Sequence, residues 1–365
     1  MGRSRVVLLS LVLAVALFAC TLPGSSAGGP TSVSATLIAA SPEAPTTEPP
    51  SPTPPEPADR LWTCPGCGGE TVWAFGEGEP RQVTVPAMHA FYAHSQASNQ
   101  MLFARNAPTQ GYGPSDISAT DLSLLDVDTG ESHILVAEGV VEAFLAPNGL
   151  DIAYILATPE TYELHWLAAD GSDRILALDL TFNWSIAPSG AAVAFSRESR
   201  YDLPIDPGVY VVSVETGEEV KVSDVDNAGF GGMADAPVWS PDSRELLIAH
   251  WAGIDEVRLV LAQADGSGEV DLTIDPAYAD EWWATVAIPA LLWAPDGEHL
   301  VGSPAASAEP YGPSPVLYYR LDRASSSLRD IVLLAEAGTP ALWDVPGRSV
   351  WIVDSDGIPQ RLTLP

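Results

Sequence analysis

Trp239-Ser240-Pro241-Asp242-Ser243-Arg244-Glu245-Leu246-Leu247-Ile248 reads as a tight turn closed by a small residue, then two variable positions, then an aliphatic strand. Five other stretches repeat the arrangement, beginning Ser98-Asn99-Gln100-Met101, Gly149-Leu150-Asp151-Ile152, Gly190-Ala191-Ala192-Val193, Gly297-Glu298-His299-Leu300 and Gly347-Arg348-Ser349-Val350. The closing residues are spaced 51, 41, 53, 54 and 50 apart. A supersecondary unit recurring at such a period means an array, because one unit cannot bury its apolar face alone.

Between these turns lie hairpins of a second kind, turning at Asp128-Thr129-Gly130, Ala169-Asp170-Gly171, Glu215-Thr216-Gly217 and Ala264-Asp265-Gly266. Gly supplies the positive φ that a tight hairpin needs, between strands such as 209–214 and 219–222. Asp322-Arg323-Ala324-Ser325 holds the same place with poorer turn chemistry. No amphipathic helix is evident after residue 60. Two hairpins per repeat predict an all-β fold: a six-bladed β-propeller of four-stranded antiparallel blades. A hairpin at 71–85 precedes the first repeat, and the expected closure pairs these N-terminal strands with the C-terminal ones, leaving no free edge. The tail, Asp354-Ser355-Asp356-Gly357 with 360–364, reads as one further hairpin and gives the last blade more strands than it can hold.

The turns carry a family resemblance. Trp239-Ser240-Pro241-Asp242-Ser243, Trp293-Ala294-Pro295-Asp296-Gly297 and Trp343-Asp344-Val345-Pro346-Gly347 resemble the Trp-Ser-Pro-Asp-Gly motif of WD40-like repeats in TolB-type propellers. Ala146-Pro147-Asn148-Gly149 and Ala187-Pro188-Ser189-Gly190 are weaker copies. The resemblance spans about residues 70–365 and implies partner binding within the envelope. The motif residues themselves build blades: the Trp packs, Pro-Asp shapes the turn and Gly takes the positive φ. Trp239, Trp293 and Trp343 are therefore expected in the core.

Residues 1–19 read as a signal peptide, with Arg3 and Arg5 ahead of an apolar run too short to span a bilayer. Leu17-Phe18-Ala19-Cys20 resembles the lipobox of bacterial lipoproteins, which implies a lipid on Cys20. Residues 20–60 are rich in Pro, Ser and Thr, a composition that cannot bury a core and serves as a tether. The propeller is expected over 61–365. This layout predicts an exported protein, anchored at the bacterial cell envelope and touching the membrane through its lipid alone.

The chain has 48 acidic and 16 basic residues and a net charge of −32. Phosphate contacts need clusters of Lys and Arg, so nucleic acid is excluded as a charge-driven partner. Of three cysteines, Cys64 and Cys67 form a Cys-Pro-Gly-Cys motif followed by Gly-Gly. In an exported chain it reads as a small structural disulfide. Redox chemistry, half of a metal site and free thiols remain as other readings.

Strand direction places any function. In up-and-down blades the first and third turns share one end, and the second turns and blade-to-blade connections share the other. The long connections, near 106–120, 199–208, 225–236, 274–288 and 304–315, all fall at the second end, and loops on a rigid scaffold commonly carry binding residues. They combine aromatics with carboxylates: Trp282, Trp283, Asp280 and Glu281 in one, Tyr112 and Tyr311 within two copies of Tyr-Gly-Pro-Ser in others. Such sets suit stacking on sugar rings or cation–π contact with a peptide. No nucleophile elbow, His-Glu-x-x-His or spaced calcium-ligand motif occurs. The expected role is a non-catalytic binding or scaffolding module for an envelope protein, peptide or glycan, with no cofactor, metal or assigned catalytic residue. The alternative is a hydrolase or lyase acting on envelope polysaccharide or ester through carboxylates of the same end.

Overall fold

The computed structural model describes residues 60–63, 72–75, 79–83, 90–94, 100–105, 120–181, 183–198, 205–224, 233–234, 236–251, 257–274, 290–303, 315–335, 339–343, 349–354 and 358–364. Cys20, Tyr112, Asp280, Glu281, Trp282, Trp283, Tyr311, Cys64 and Cys67 lie outside them. Every element among the described residues is a β-strand, joined by turns. None is a helix long and apolar enough to cross a membrane.

The middle strands are buried nearly end to end, as in Ile152–Ala157, Gly208–Ser213 and Ser349–Val353, whereas outer strands such as Asp173–Leu178 and Glu269–Ile274 expose most of their first halves. That gradient explains the sequence pattern. A strand covered on both faces must be apolar throughout rather than at alternate positions.

The described strands form five hydrogen-bonded sheets, along which seven consecutive antiparallel groups can be followed. The first is Arg60–Thr63, Val72–Phe75 and Arg81–Val83. The second and third share one long strand, Ser132–Leu145, whose first half pairs with Thr120–Asp126 and whose second half pairs with Ile152–Ala157. Gly139, at φ 89, lies between these halves. The fourth group is Trp184–Ile186, Ala192–Arg197, Gly208–Ser213 and Glu219–Asp224. In the fifth, Met233–Ala234 and Val238–Trp239 both pair with Glu245–Trp251, followed by Val257–Gln263 and Glu269–Ile274. The sixth is Ala290–Trp293, His299–Ser303, Val316–Asp322 and Ser327–Ala335. Thr339–Trp343, Ser349–Val353 and Pro359–Thr363 make the seventh.

The expected closure by strand pairing is not seen among the described residues. Among the described residues the N-terminal strands pair only with one another, and so do the C-terminal ones. The tail strand Pro359–Thr363 fills the slot that the sequence reading offered to 71–85, and Arg60–Thr63 completes a separate sheet with that hairpin. The first and seventh groups meet through side chains instead. Phe75 and Trp351 meet at a tilt, with ring centroids 5.5 Å apart, in a small cluster with Trp73 and Val353. Each of the other apolar clusters likewise joins two successive groups: Leu102 with Tyr154, Trp166 with Phe195, Val211 with Ile248, Leu261 with Leu317, and Val301 with Ile352.

Candidate functional site

The four fully described repeat turns share one construction. Ala146, Ala187, Ser240 and Ala294 each donate their N–H to the carbonyl five residues on and accept from the N–H three residues on. The closing residues Gly149, Gly190, Ser243 and Gly297 have φ between 61 and 74. The residue before each, Asn148, Ser189, Asp242 and Asp296, accepts through its side chain from the N–H two residues on. This Asx- or ST-type cap fixes the turn, and it explains Asp, Asn or Ser at that position. Trp239, Trp293 and Trp343 are buried as expected.

The second hairpins reuse the chemistry. Asp126, Asp170, Asp265 and Asp322 accept from N–H groups two or three residues on. Ser326 takes φ 49 in the hairpin that lacks Gly. Several of these carboxyls are held below the ordinary range by the bonds they accept. For Asp126 the leading cause is the Thr129 N–H, and for Asp170 and Asp265 the Ser172 and Ser267 hydroxyls. Much of the acidic surface is thus turn machinery.

A polar cleft of about 590 Å³ opens at this turn end between the fifth and sixth groups. Glu245 on one wall accepts from Arg323 Nη2 at 2.7 Å and Nε at 3.1 Å on the other, and Gln263 Nε2 donates to its second oxygen at 3.3 Å. Asp242, Arg244, Asp296 and Glu298 complete the rim.

Three buried or partly buried polar sets were missed, two because they join residues of different groups and the third because it depends on which residues of neighbouring strands share a face. Ser223 Oγ lies 2.9 Å from His250 Nε2 and donates to Glu269 Oε2. These are the residue types of a hydrolytic triad, but the order is wrong. There the imidazole must bridge hydroxyl and carboxylate, whereas here the hydroxyl stands between them. Its proton is committed to Glu269, and both Ser223 and His250 are buried, so the set joins the fourth group to the fifth. In the third group, His165 bridges Asp173 at 3.2 Å and Glu163 at 3.0 Å, and stacks on Tyr154, whose hydroxyl donates to Asp173 at 2.7 Å. Burial, with the Asp173 bond next, pushes the Tyr154 hydroxyl well up. On the innermost strands, Trp184 Nε1 donates to Glu142 Oε2 at 2.6 Å across the junction of the third and fourth groups. Burial raises the Glu142 carboxyl to about 7 against the opposing effect of that bond. Each carboxylate or imidazole in these sets is occupied by a neighbour in the protein.

Among the described residues, no group of three or more His, Cys, Asp or Glu is placed to hold a metal ion. The sequence-derived ligand residues can be located only by the strands that flank them. Tyr112 follows Gln100–Ala104 and precedes Thr120–Asp126. Asp280, Glu281, Trp282 and Trp283 fall between Glu269–Ile274 and Ala290–Trp293, and Tyr311 between His299–Ser303 and Val316–Asp322. The described turns at 264–267 and 294–297 close the far ends of Glu269–Ile274, Ala290–Trp293 and His299–Ser303.

No family model matches the chain. Among solved structures, oligogalacturonate lyase from Vibrio parahaemolyticus is similar at TM-score 0.53 and 13% identity, over 85% of this chain and 91% of that one. The tricorn protease gives TM-score 0.53 at 10% identity over 87% of this chain, which spans only 34% of the tricorn chain. TolB from Acinetobacter baumannii is similar at TM-score 0.43 and 13% identity, over 71% of this chain and 63% of its own length, and that looser superposition adds no weight. At such identities a shared shape does not carry a shared reaction or partner with it. The strand pairings and the first two likenesses together establish the architecture: this chain has the β-propeller fold.

Proposed function

We propose that the protein is a propeller of seven blades, one per strand group, held at a bacterial cell envelope by a lipid on Cys20. Its role is to bind an envelope protein, peptide or glycan. The ligand residues are those of the long connections, foremost Trp282 and Trp283, with Asp280, Glu281, Tyr112 and Tyr311. The observation that carries this reading is the inequality of the two strand ends. At one end, turn after turn is closed by the same short capped loop, in which side-chain acceptors are spent on backbone N–H groups. Short loops locked in this way leave few groups for a ligand. The connections between the other strand ends are longer in sequence and concentrate aromatics and carboxylates, and such loops on a rigid scaffold are the usual location of recognition.

The test compares the full chain with a Trp282→Ala, Trp283→Ala double variant on arrays of envelope glycans and peptides. Binding by the parent and its loss in the variant, at an unchanged melting temperature, is the expected result. Equal binding by both would remove this end from the reading. Turnover of a polysaccharide or ester, abolished by Asp280→Asn or Glu281→Gln, would replace the binding role with the enzymatic one. Cys20→Ser is expected to release the protein from the membrane fraction.

A further inference from the structure

Three of the junctions between groups are stapled by an indole. Trp239 Nε1 donates to the Ser185 carbonyl at 3.2 Å, and Trp343 Nε1 to the Leu292 carbonyl at 3.4 Å. In both cases the acceptor is on the inner strand of the preceding group. Trp184 makes its own crossing to Glu142. Trp293 occupies the place of Trp239 and Trp343: it pairs with Leu300 as they pair with Leu246 and Val350. By that register its acceptor is the carbonyl of Val238. The bond is not made, and Trp293 Nε1 is buried without a hydrogen-bond partner among the described residues.

A second orphan lies in the same row. Tyr319 pairs with Leu300 from the other side, and its hydroxyl is also buried without a partner. Trp293 is 8% exposed and Tyr319 1%, and both belong to the apolar cluster that joins the fifth group, through Leu247, Leu259 and Leu261, to the sixth. Closing this seam therefore strips water from two donors and gives neither a partner, whereas opening it rehydrates both. Two other contacts hold it shut. At the turn end, Arg323 donates twice to Glu245 across the cleft while standing 5.9 Å over the Trp293 ring. At the outer edge, Thr273 and Ile274 pair in parallel with Ser327 and Leu328, and the Thr273 N–H reaches the Ser326 carbonyl at 2.9 Å.

We propose that the seam between the fifth and sixth groups is a built-in opening joint of the propeller, latched by Glu245–Arg323 and by the edge pairing and weakened by the two buried donors. The polar cleft is its outer mouth. The joint parts ahead of its neighbours without unfolding of either sheet group.

Amide hydrogen exchange on the full chain reads this directly, because the Thr273 N–H bond crosses the seam while those of Gly208–Ser213 lie within one group. Thr273 is expected to exchange faster than that reference strand. Tyr319→Phe keeps the ring and deletes an orphan donor, and it is expected to slow Thr273 about tenfold with the reference strand unchanged. Glu245→Gln is expected to speed Thr273 selectively, and so is high salt, which screens the latch. An unchanged Thr273 rate in Tyr319→Phe, or equal slowing of every amide, would overturn the proposal. If Tyr319→Phe folds poorly, Glu245→Gln supplies the second reading, and an unchanged Thr273 rate in it would likewise overturn the proposal.

Discussion

Ser243 shows how closely the turn repeat constrains single positions. It holds φ 61, where the other three fully described copies carry Gly, and its hydroxyl accepts from the Ser189 N–H of the preceding group at 3.0 Å. The left-handed conformation costs a non-glycine residue about 1 kcal/mol, and an exposed hydrogen bond returns about half of that. Ser243→Gly is thus expected to stabilise the protein by ~0.5 kcal/mol, read as a higher urea midpoint at constant slope; a lower midpoint would mean that the Ser189 bond outweighs the strain. The serine at this position was legible in the sequence as a departure from the motif. Its bond to Ser189 was not, because the two residues are 54 apart.

Among elements, the strand Ser132–Leu145 is the clearest case in which a simple reading fails. It serves as the outer strand of one group and the inner strand of the next, with Gly139 at the turnover. A Cβ there would stand 2.9 Å from Leu156 Cδ1 as well as at φ 89. The left-handed φ makes Gly139→Ala destabilising by ~1 kcal/mol, with the Leu156 terminus able to turn aside; thermal unfolding that shifts by less than a degree would show that the strand can bend elsewhere. The hairpin at 71–85 was equally visible as an element, but its sheet partner among the described residues was not. Its partner Arg60–Thr63 borders the tether and lacks a turn motif, so nothing local identifies it as a strand of a separate group.

For the whole molecule, two titrating populations act in opposite directions. Asp242 is held below its usual range by the Ser240 hydroxyl; at Asp296, burial alone would raise the carboxyl, but the bond from His299 and two backbone N–H groups bring it down. A depressed folded-state pKa means stability that is full above the unfolded value, near 4, and is lost as pH falls through the folded one. Glu142 has the opposite sign. Its carboxyl is raised to about 7, so its contribution is full below the unfolded value, about 4.3, and is lost as pH rises through about 7. Maximum stability is accordingly expected near pH 5, declining on both sides. Glu142→Gln can still accept the Trp184 bond, and it should flatten the alkaline decline, gaining on the order of 1–3 kcal/mol over the parent at pH 8. Denaturant titrations from pH 3 to 9 check both points, and a parent whose stability still climbs between pH 5 and 8 would refute them.

Turn chemistry, strand burial and the core placement of Trp239, Trp293 and Trp343 were determined by the sequence, because each depends on residues within one hairpin and on their apolar pattern. The same local logic assigned the short turns and the long connections to opposite strand ends. Only the tertiary structure decided how the described strands divide into sheets, the contact of first group on seventh through Phe75 and Trp351, and the polar sets around Glu142, His165 and Ser223. All of these join residues from different repeats or from strands that a one-residue shift would separate. A periodic sequence specifies its unit strongly, but the contacts between units, which distinguish one junction from the next, exist only once the array has been assembled.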